Sequence, residues 1–68
     1  MKMIEELSQE YPWLVEKSTS LERLYACAVG AISGTLKSPL AQDEKVTQIA
    51  EILALTDYLE SDQVGSTL

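Results

Sequence analysis

Residues 21–36, LERLYACAVGAISGTL, decide the fold of this chain, and no charged residue lies between Leu24 and Leu36. Thr19 and Glu22 have the spacing of a capping box, in which each side chain bonds a backbone amide left free at a helix start. We therefore predict a helix from about Thr19 to Leu36. The uncharged run is too short for a membrane span, which needs about 20 apolar residues. At about 100° per residue, the apolar side chains form one wide arc that should face a core: Leu21, Leu24, Tyr25, Ala28, Val29, Ile32 and Leu36.

Small residues form a second pattern on this predicted helix. Ala26, Gly30 and Gly34 are spaced four residues apart and share one side. A glycine inside a helix costs about 1 kcal/mol relative to alanine, so two of them need a physical reason. Close approach of a second helix, within the fold or between subunits, is the reason we favour. The alternative is that Gly34 loosens the helix end and Gly30 is merely tolerated.

The residues before this helix predict two short elements. Residues 2–10 favour a short helix with Met3, Ile4 and Leu7 on one face, too short to be stable unless it docks. Pro12 ends that helix, because a residue before proline avoids helical angles, and can itself open a second turn. Trp13, the only tryptophan, is predicted to cover the core, or alternatively to be a binding contact for a partner.

The residues after it predict a second long helix. Serine before proline at 38–39 is typical of a helix start, so this helix should run from Pro39 or Gln42 to about Ser61, and 62–68 should form a flexible tail. Its apolar arc is too wide for one neighbouring helix, which predicts contact with a second surface as well. The residues predicted to pack or to form an interface are Ile52, Leu55 and Leu59, and Tyr58 is a candidate partner contact.

The fold class predicted from these elements is all-α: an antiparallel helical hairpin with a short N-terminal helix, in one domain over residues 1–61. Folding of 68 residues would bury about 3,800 Å² of apolar surface, contributing about 95 kcal/mol against about 100 kcal/mol of conformational entropy. A monomer would therefore be marginal. One cysteine and no histidine provide neither an internal disulfide nor a zinc site of the usual kind. We therefore predict a homodimeric helical bundle, with Cys27 buried and reduced.

Composition excludes several classes of function. Without histidine the chain lacks imidazole acid–base and triad chemistry, and no glycine-rich phosphate loop follows a strand. The carboxylate pairs Glu5/Glu6 and Asp57/Glu60 are expected on solvated faces. A net charge of −6 opposes general nucleic-acid binding. The N-terminal residues do not have the pattern of a secretory signal, so a cytoplasmic location is expected. We predict no enzyme activity, no cofactor, no metal and no membrane association.

The function predicted by elimination is protein interaction, as an adaptor or inhibitor that binds itself and an unidentified partner protein. Small acidic helical proteins of this kind are common in phages and mobile elements, and such an origin is suggested by this association alone. The main alternative is a small helix-turn-helix regulator, for which Lys45 would be the only cation on the exposed face of the reading helix. A carrier protein, from Ser20-Leu21 at a helix start, is a further alternative, although Thr19 stands where such proteins usually have an acidic residue. The terminus Ser66-Thr67-Leu68 matches the type recognised by strand addition.

Overall fold

Two short helices begin the chain, and Pro12 determines where the first ends and the second begins. The computed structural model describes residues 2–67, and the side chains of residues 2–63. Helix α1 spans Ile4–Glu10 and helix α2 spans Pro12–Glu16. Tyr11 between them leaves the helical region, with φ −122° and ψ 59°, and Pro12 occupies the first turn of α2 as predicted. A single 3-10 turn, Lys17–Thr19, then leads to the next helix.

Two long helices, α3 (Leu21–Lys37) and α4 (Gln42–Thr67), pack as an antiparallel hairpin joined by residues 38–41. Hydrogen bonds mark both ends of the pair. At the connection, Lys45 Nζ donates to the carbonyl oxygen of Leu36 over 2.8 Å. At the opposite end, Gln63 Nε2 donates to the carbonyl oxygen of Thr19 over 3.0 Å. The predicted all-α fold is confirmed, and no strand occurs within residues 2–67.

Helices α1 and α2 form a layer over one side of this hairpin. Tyr11 fixes the layer, because its phenol donates to Glu51 Oε1 on α4 over 2.9 Å. Lys2 pairs with Glu10 and, over 3.3 Å, with the same Glu51. Burial, followed by the hydrogen bond to Glu51, raises the pKa of Tyr11 to about 12. The buried apolar side chains between layer and hairpin are Leu7, Tyr11, Leu14, Leu24, Ala28, Ile52, Leu55 and Leu59.

The start of α3 differs from the prediction. Thr19 belongs to the 3-10 turn, and Ser20 is the N-cap, with an extended backbone and no side-chain cap bond. The capping box of Thr19 and Glu22 is therefore not formed. The helix starts where the turn ends, because the Ser20 carbonyl already accepts the first helical hydrogen bond from the amide of Leu24 over 2.9 Å.

Helix α4 begins at one of its two predicted starts and ends later than predicted. Of the two predicted starts, Pro39 and Gln42, the helix begins at Gln42. Ser38 does not cap α4 but ends α3, where its hydroxyl donates to the Thr35 carbonyl over 2.6 Å. The helix continues to Thr67, beyond the predicted end near Ser61. The flexibility predicted for residues 62–68 stays a prediction, and the side chains of Ser66-Thr67-Leu68 lie outside the described residues.

The buried face of α3 is rotated from the predicted arc by roughly 60° at 100° per residue. Leu36 and Val29, predicted to face the core, are 57% and 67% exposed. Thr35 is buried instead, since its hydroxyl donates to the carbonyl of Ala31 over 2.9 Å and so needs no water. Met3, predicted on the docking face of α1, is exposed. The apolar arc on α3 is therefore wider than the core, and part of it remains uncovered.

Candidate interaction surfaces

The side of the hairpin opposite the α1–α2 layer is apolar and open. Its side chains come from α3 and α4 alone, and several are more than half exposed, including Val29 at 67%, Val46 at 64% and Leu53 at 52%. On α3 the spacing is i, i+4, i+7 and i+11, which is a second apolar stripe beside the core stripe. We call this surface the hairpin face, and it consists of Tyr25, Val29, Ile32, Leu36, Val46, Ile49 and Leu53. Val46 lies at its margin, because it also lines a depression with Lys2 and Leu7.

Charged groups occur at the two ends of the hairpin face and have opposite signs. Asp57 and Glu60 line the end that contains Tyr25. Their effect is visible on Tyr25, whose pKa is raised by the hydrogen bond to Glu60 first, and then by desolvation and by the charges of Glu60 and Asp57. Lys45 lines the other end, beside Leu36. The face is therefore apolar in the middle, acidic at one end and basic at the other.

A second surface, the Trp13 groove, lies between α2, α3 and the start of α4. We define it by Trp13, Cys27, Ala31, Gly34 and Leu40, and its volume is about 570 Å³. The hydroxyl groups in the groove are already bonded within the fold, Thr35 to Ala31 and Ser38 to Thr35. An apolar side chain that fills the groove would therefore leave neither hydroxyl without a hydrogen-bond partner. A shallow groove of this kind suits a protein segment better than a small molecule, which needs an enclosing pocket.

Trp13 combines the two roles that the sequence left open. Its ring makes an edge-to-face contact with Tyr11, at a centroid distance of 5.7 Å and an interplanar angle of 89°. It also remains 39% exposed, and it lines the groove. The side chain is thus anchored to the core on one edge and available for contact on the other.

The small-residue strip does not pack against another helix of the same chain. Ala26, Gly30 and Gly34 are all exposed. A Cβ atom added at Gly30 or at Gly34 would have no heavy atom within 4 Å. The prediction of close packing within the fold is therefore corrected, and packing between subunits stays a prediction. Within the fold, Gly34 instead helps to keep the Trp13 groove open, because a side chain there would occupy it.

The residues predicted on α4 separate into two groups. Ile52, Leu55 and Leu59 lie in the core of the chain itself, at 1%, 0% and 8% exposure, so they are not available to a second subunit. Tyr58 is 48% exposed and outside both surfaces. Leu40, which forms part of the Trp13 groove, was not singled out from the sequence because it lies in the connection between helices, where no periodicity applies.

The remaining side chains with possible chemistry are the acidic residues and Cys27. Within the described residues, no group of three Cys, Asp or Glu side chains is placed to hold a metal ion. Cys27 is a free thiol and only partly buried, which corrects the prediction that it is buried, while its reduced state stays a prediction. Among the described helices, none combines the length and apolar character needed to cross a membrane.

Comparisons with protein-family models, with curated proteins and with solved structures find no match to this chain.

Proposed function

We propose that this protein is a non-enzymatic interaction module that assembles into a homodimeric helical bundle and acts as an adaptor or inhibitor of another protein. The observation that carries the proposal is the hairpin face, where Val29 and Leu53 line one depression and are more than half exposed, and Val46 is exposed farther along α4. Contiguous apolar surface of this kind is typical of binding sites in small proteins.

Self-association is supported by the energetics of a small chain. Each large aliphatic side chain moved from water into an interface contributes about 1.5–3 kcal/mol. A chain of 68 residues has only a few kcal/mol of net stability to draw on, so covering the hairpin face would contribute a large fraction of the total. Dimer formation is the simplest way to cover it, because a second copy is always present.

Partner binding is supported by the Trp13 groove. Tryptophan is one of the residue types enriched among the hot spots of protein interfaces. The groove adjoins the hairpin face at Leu40, but Trp13, Cys27 and Gly34 lie outside that face, so a dimer can still present them. The helix-turn-helix alternative has less support, because the ammonium of Lys45, the only cation of α4, donates to the Leu36 carbonyl.

An affinity capture with matched variants tests the proposal. Wild-type protein, Trp13→Ala and Tyr58→Ala would each be used to capture proteins from a lysate of the source organism. A protein retained by wild type and by Tyr58→Ala but lost with Trp13→Ala supports partner binding at the groove, because both aromatic side chains are exposed and only Trp13 lines it. Circular dichroism of Trp13→Ala checks that the variant is folded.

Cys27 provides a second readout on the unmodified protein. Its thiol lines the groove, so an occupant should slow its labelling by a bulky maleimide by about tenfold. Labelling at an unchanged rate in the complex, or equal capture by all three proteins, would contradict binding at the groove.

A further inference from the structure

We infer that the hairpin face is closed by a second copy of this chain in antiparallel orientation, with Lys45 of one protomer opposite Asp57 and Glu60 of its partner. This inference rests on the self-association proposed above, and it adds which surface is used and in which direction. It concerns the hairpin face, which adjoins the Trp13 groove at Leu40, and it does not involve Trp13 or Cys27.

The charge pattern of the face selects the antiparallel orientation. Lys45 and Glu60 are about 22 Å apart along α4, at opposite ends of the face. If two copies packed in parallel, the acidic ends would meet each other and so would the basic ends. A two-fold axis through the middle of the face instead places each Lys45 beside the partner's acidic pair. A surface with this pattern is complementary to itself, as a two-fold interface requires.

The apolar middle of the face fits the same symmetry. Leu53 lies close to halfway between Lys45 and Glu60 along α4, and it shares one depression with Val29 and Ile32 of α3. An axis at this position stacks the apolar middle of one copy on the apolar middle of the other. The two hairpins would then form a four-helix bundle, with each α1–α2 layer on the outside.

Charge also argues against an unrelated occupant. A strongly basic or strongly acidic partner would be attracted at one end of the face and repelled at the other. The Lys45 ammonium is held at its end of the face by the 2.8 Å hydrogen bond to the Leu36 carbonyl, so the positive end has a defined position. The pattern is therefore matched by a second copy more simply than by a partner of one dominant charge.

The size of the face sets the expected affinity. A patch about 22 Å long and two helix diameters, about 20 Å, wide buries on the order of 1,000 Å² in total when two copies meet. This is the lower limit for a specific interface. We therefore expect a dimer with a dissociation constant in the micromolar range, which sedimentation or light scattering across a concentration series can measure.

Charge reversal tests the orientation directly. Lys45→Glu alone places like charges at both contacts of the dimer, and so does the double variant Asp57→Lys/Glu60→Lys. Each should raise the dissociation constant about tenfold or more, whereas Lys17→Glu, an equal charge change on the exposed 3-10 turn, should leave it within about twofold. An equimolar mixture of the two weakened variants should form a heterodimer with near wild-type affinity, because both of its contacts are again between opposite charges.

Lys45→Gln separates charge from folding, because it keeps a donor for Leu36 and removes the charge. Its dissociation constant should lie between those of wild type and Lys45→Glu, with an unchanged circular dichroism spectrum. Unchanged dissociation constants for both Lys45→Glu and the double variant would overturn the antiparallel orientation and leave the proposed dimer standing, because parallel packing has like charges at its contacts before and after each change. A wild-type mass near 7.5 kDa at every concentration would overturn this inference and the proposed dimer together. Partner binding at the groove would be unaffected by either result.

Discussion

The two sides of the α3–α4 hairpin are both apolar, yet only one is covered by the chain. On the covered side Leu24, Ala28 and Leu55 are buried beneath α1 and α2. On the hairpin face Val29 and Leu53, from the same two helices, are largely exposed. The difference shows what apolar periodicity can predict. It indicates which faces of a helix are apolar, but the packing of the rest of the chain determines which of these faces is buried.

Leu55 and Leu53 provide the largest test of this comparison, since they are the same residue type on the same helix. Leu55→Ala removes a fully buried side chain and should lower the free energy of unfolding by about 3 kcal/mol. Leu53→Ala, at 52% exposure, should cost less than about 1 kcal/mol in dilute solution. Urea denaturation of both variants measures the two values. Equal losses at all concentrations would mean that the two sides are not different in the folded chain.

Protein concentration sharpens the same test. If a second copy covers the hairpin face, the cost of Leu53→Ala should grow as the wild type becomes dimeric, because dimer formation adds to the stability of the wild type. The cost of Leu55→Ala should change much less with concentration.

Alkaline pH probes the covered side through Tyr11. The pKa of Tyr11 is raised to about 12 in the folded chain, against an ordinary value near 10, so the neutral phenol is favoured by folding. The unfolded chain then loses this proton first, and stability falls as the pH rises from 10 towards 12. We expect a loss of about 2 kcal/mol over this window. Denaturation of wild type and Tyr11→Phe at several pH values checks it, and the variant should lack most of this decline.

Gly30→Ala tests whether the small-residue strip of α3 faces solvent or is covered by a second copy of the chain. An added Cβ would meet no atom within 4 Å, so the gain in helix propensity should stabilise the chain by about 1 kcal/mol. For a domain of this size the melting temperature should rise by about 4–8 °C. A loss of about 1–3 kcal/mol would instead show that a second copy packs closely against the strip. The sign of the change therefore distinguishes the two arrangements.

The sequence predicts the number, order and approximate extent of the helices because their boundaries depend on local chemistry. Pro12 starts a helix in the structure as it does in the prediction. The predicted capping box is wrong because Ser20, not Thr19, adopts the extended conformation of the N-cap. Local spacing alone does not distinguish these two neighbouring residues. The sequence predicts too early an end for α4 because residues 62–63 are polar, whereas Gln63 forms a hydrogen bond with Thr19, a residue distant in the chain.

The candidate interaction surfaces can be predicted only in part from the sequence, because both faces of the hairpin are apolar. Leu36 and Thr35 show the difficulty: a pattern of apolar residues assigns leucine to the core, yet threonine is buried there with its hydroxyl bonded to the preceding turn. The sequence pattern shows the stripe of Tyr25, Val29 and Ile32, but it joins this stripe and the core stripe in one continuous arc. Its separate role follows only from the position of α1 and α2.

The hydrogen bond from Tyr11 to Glu51 joins residues 40 positions apart, and this has a consequence for how the chain is made. While the chain is being synthesised, α1 and α2 emerge before any residue of α4 that will cover them exists. The hairpin itself is built from neighbouring segments, so it can close as soon as α4 is complete, whereas docking of the N-terminal layer requires closure of a longer loop. Newly made hairpins therefore present two apolar sides to one another. When the N-terminal layer then docks, it covers one of these sides and so determines on which side of the hairpin another molecule can bind.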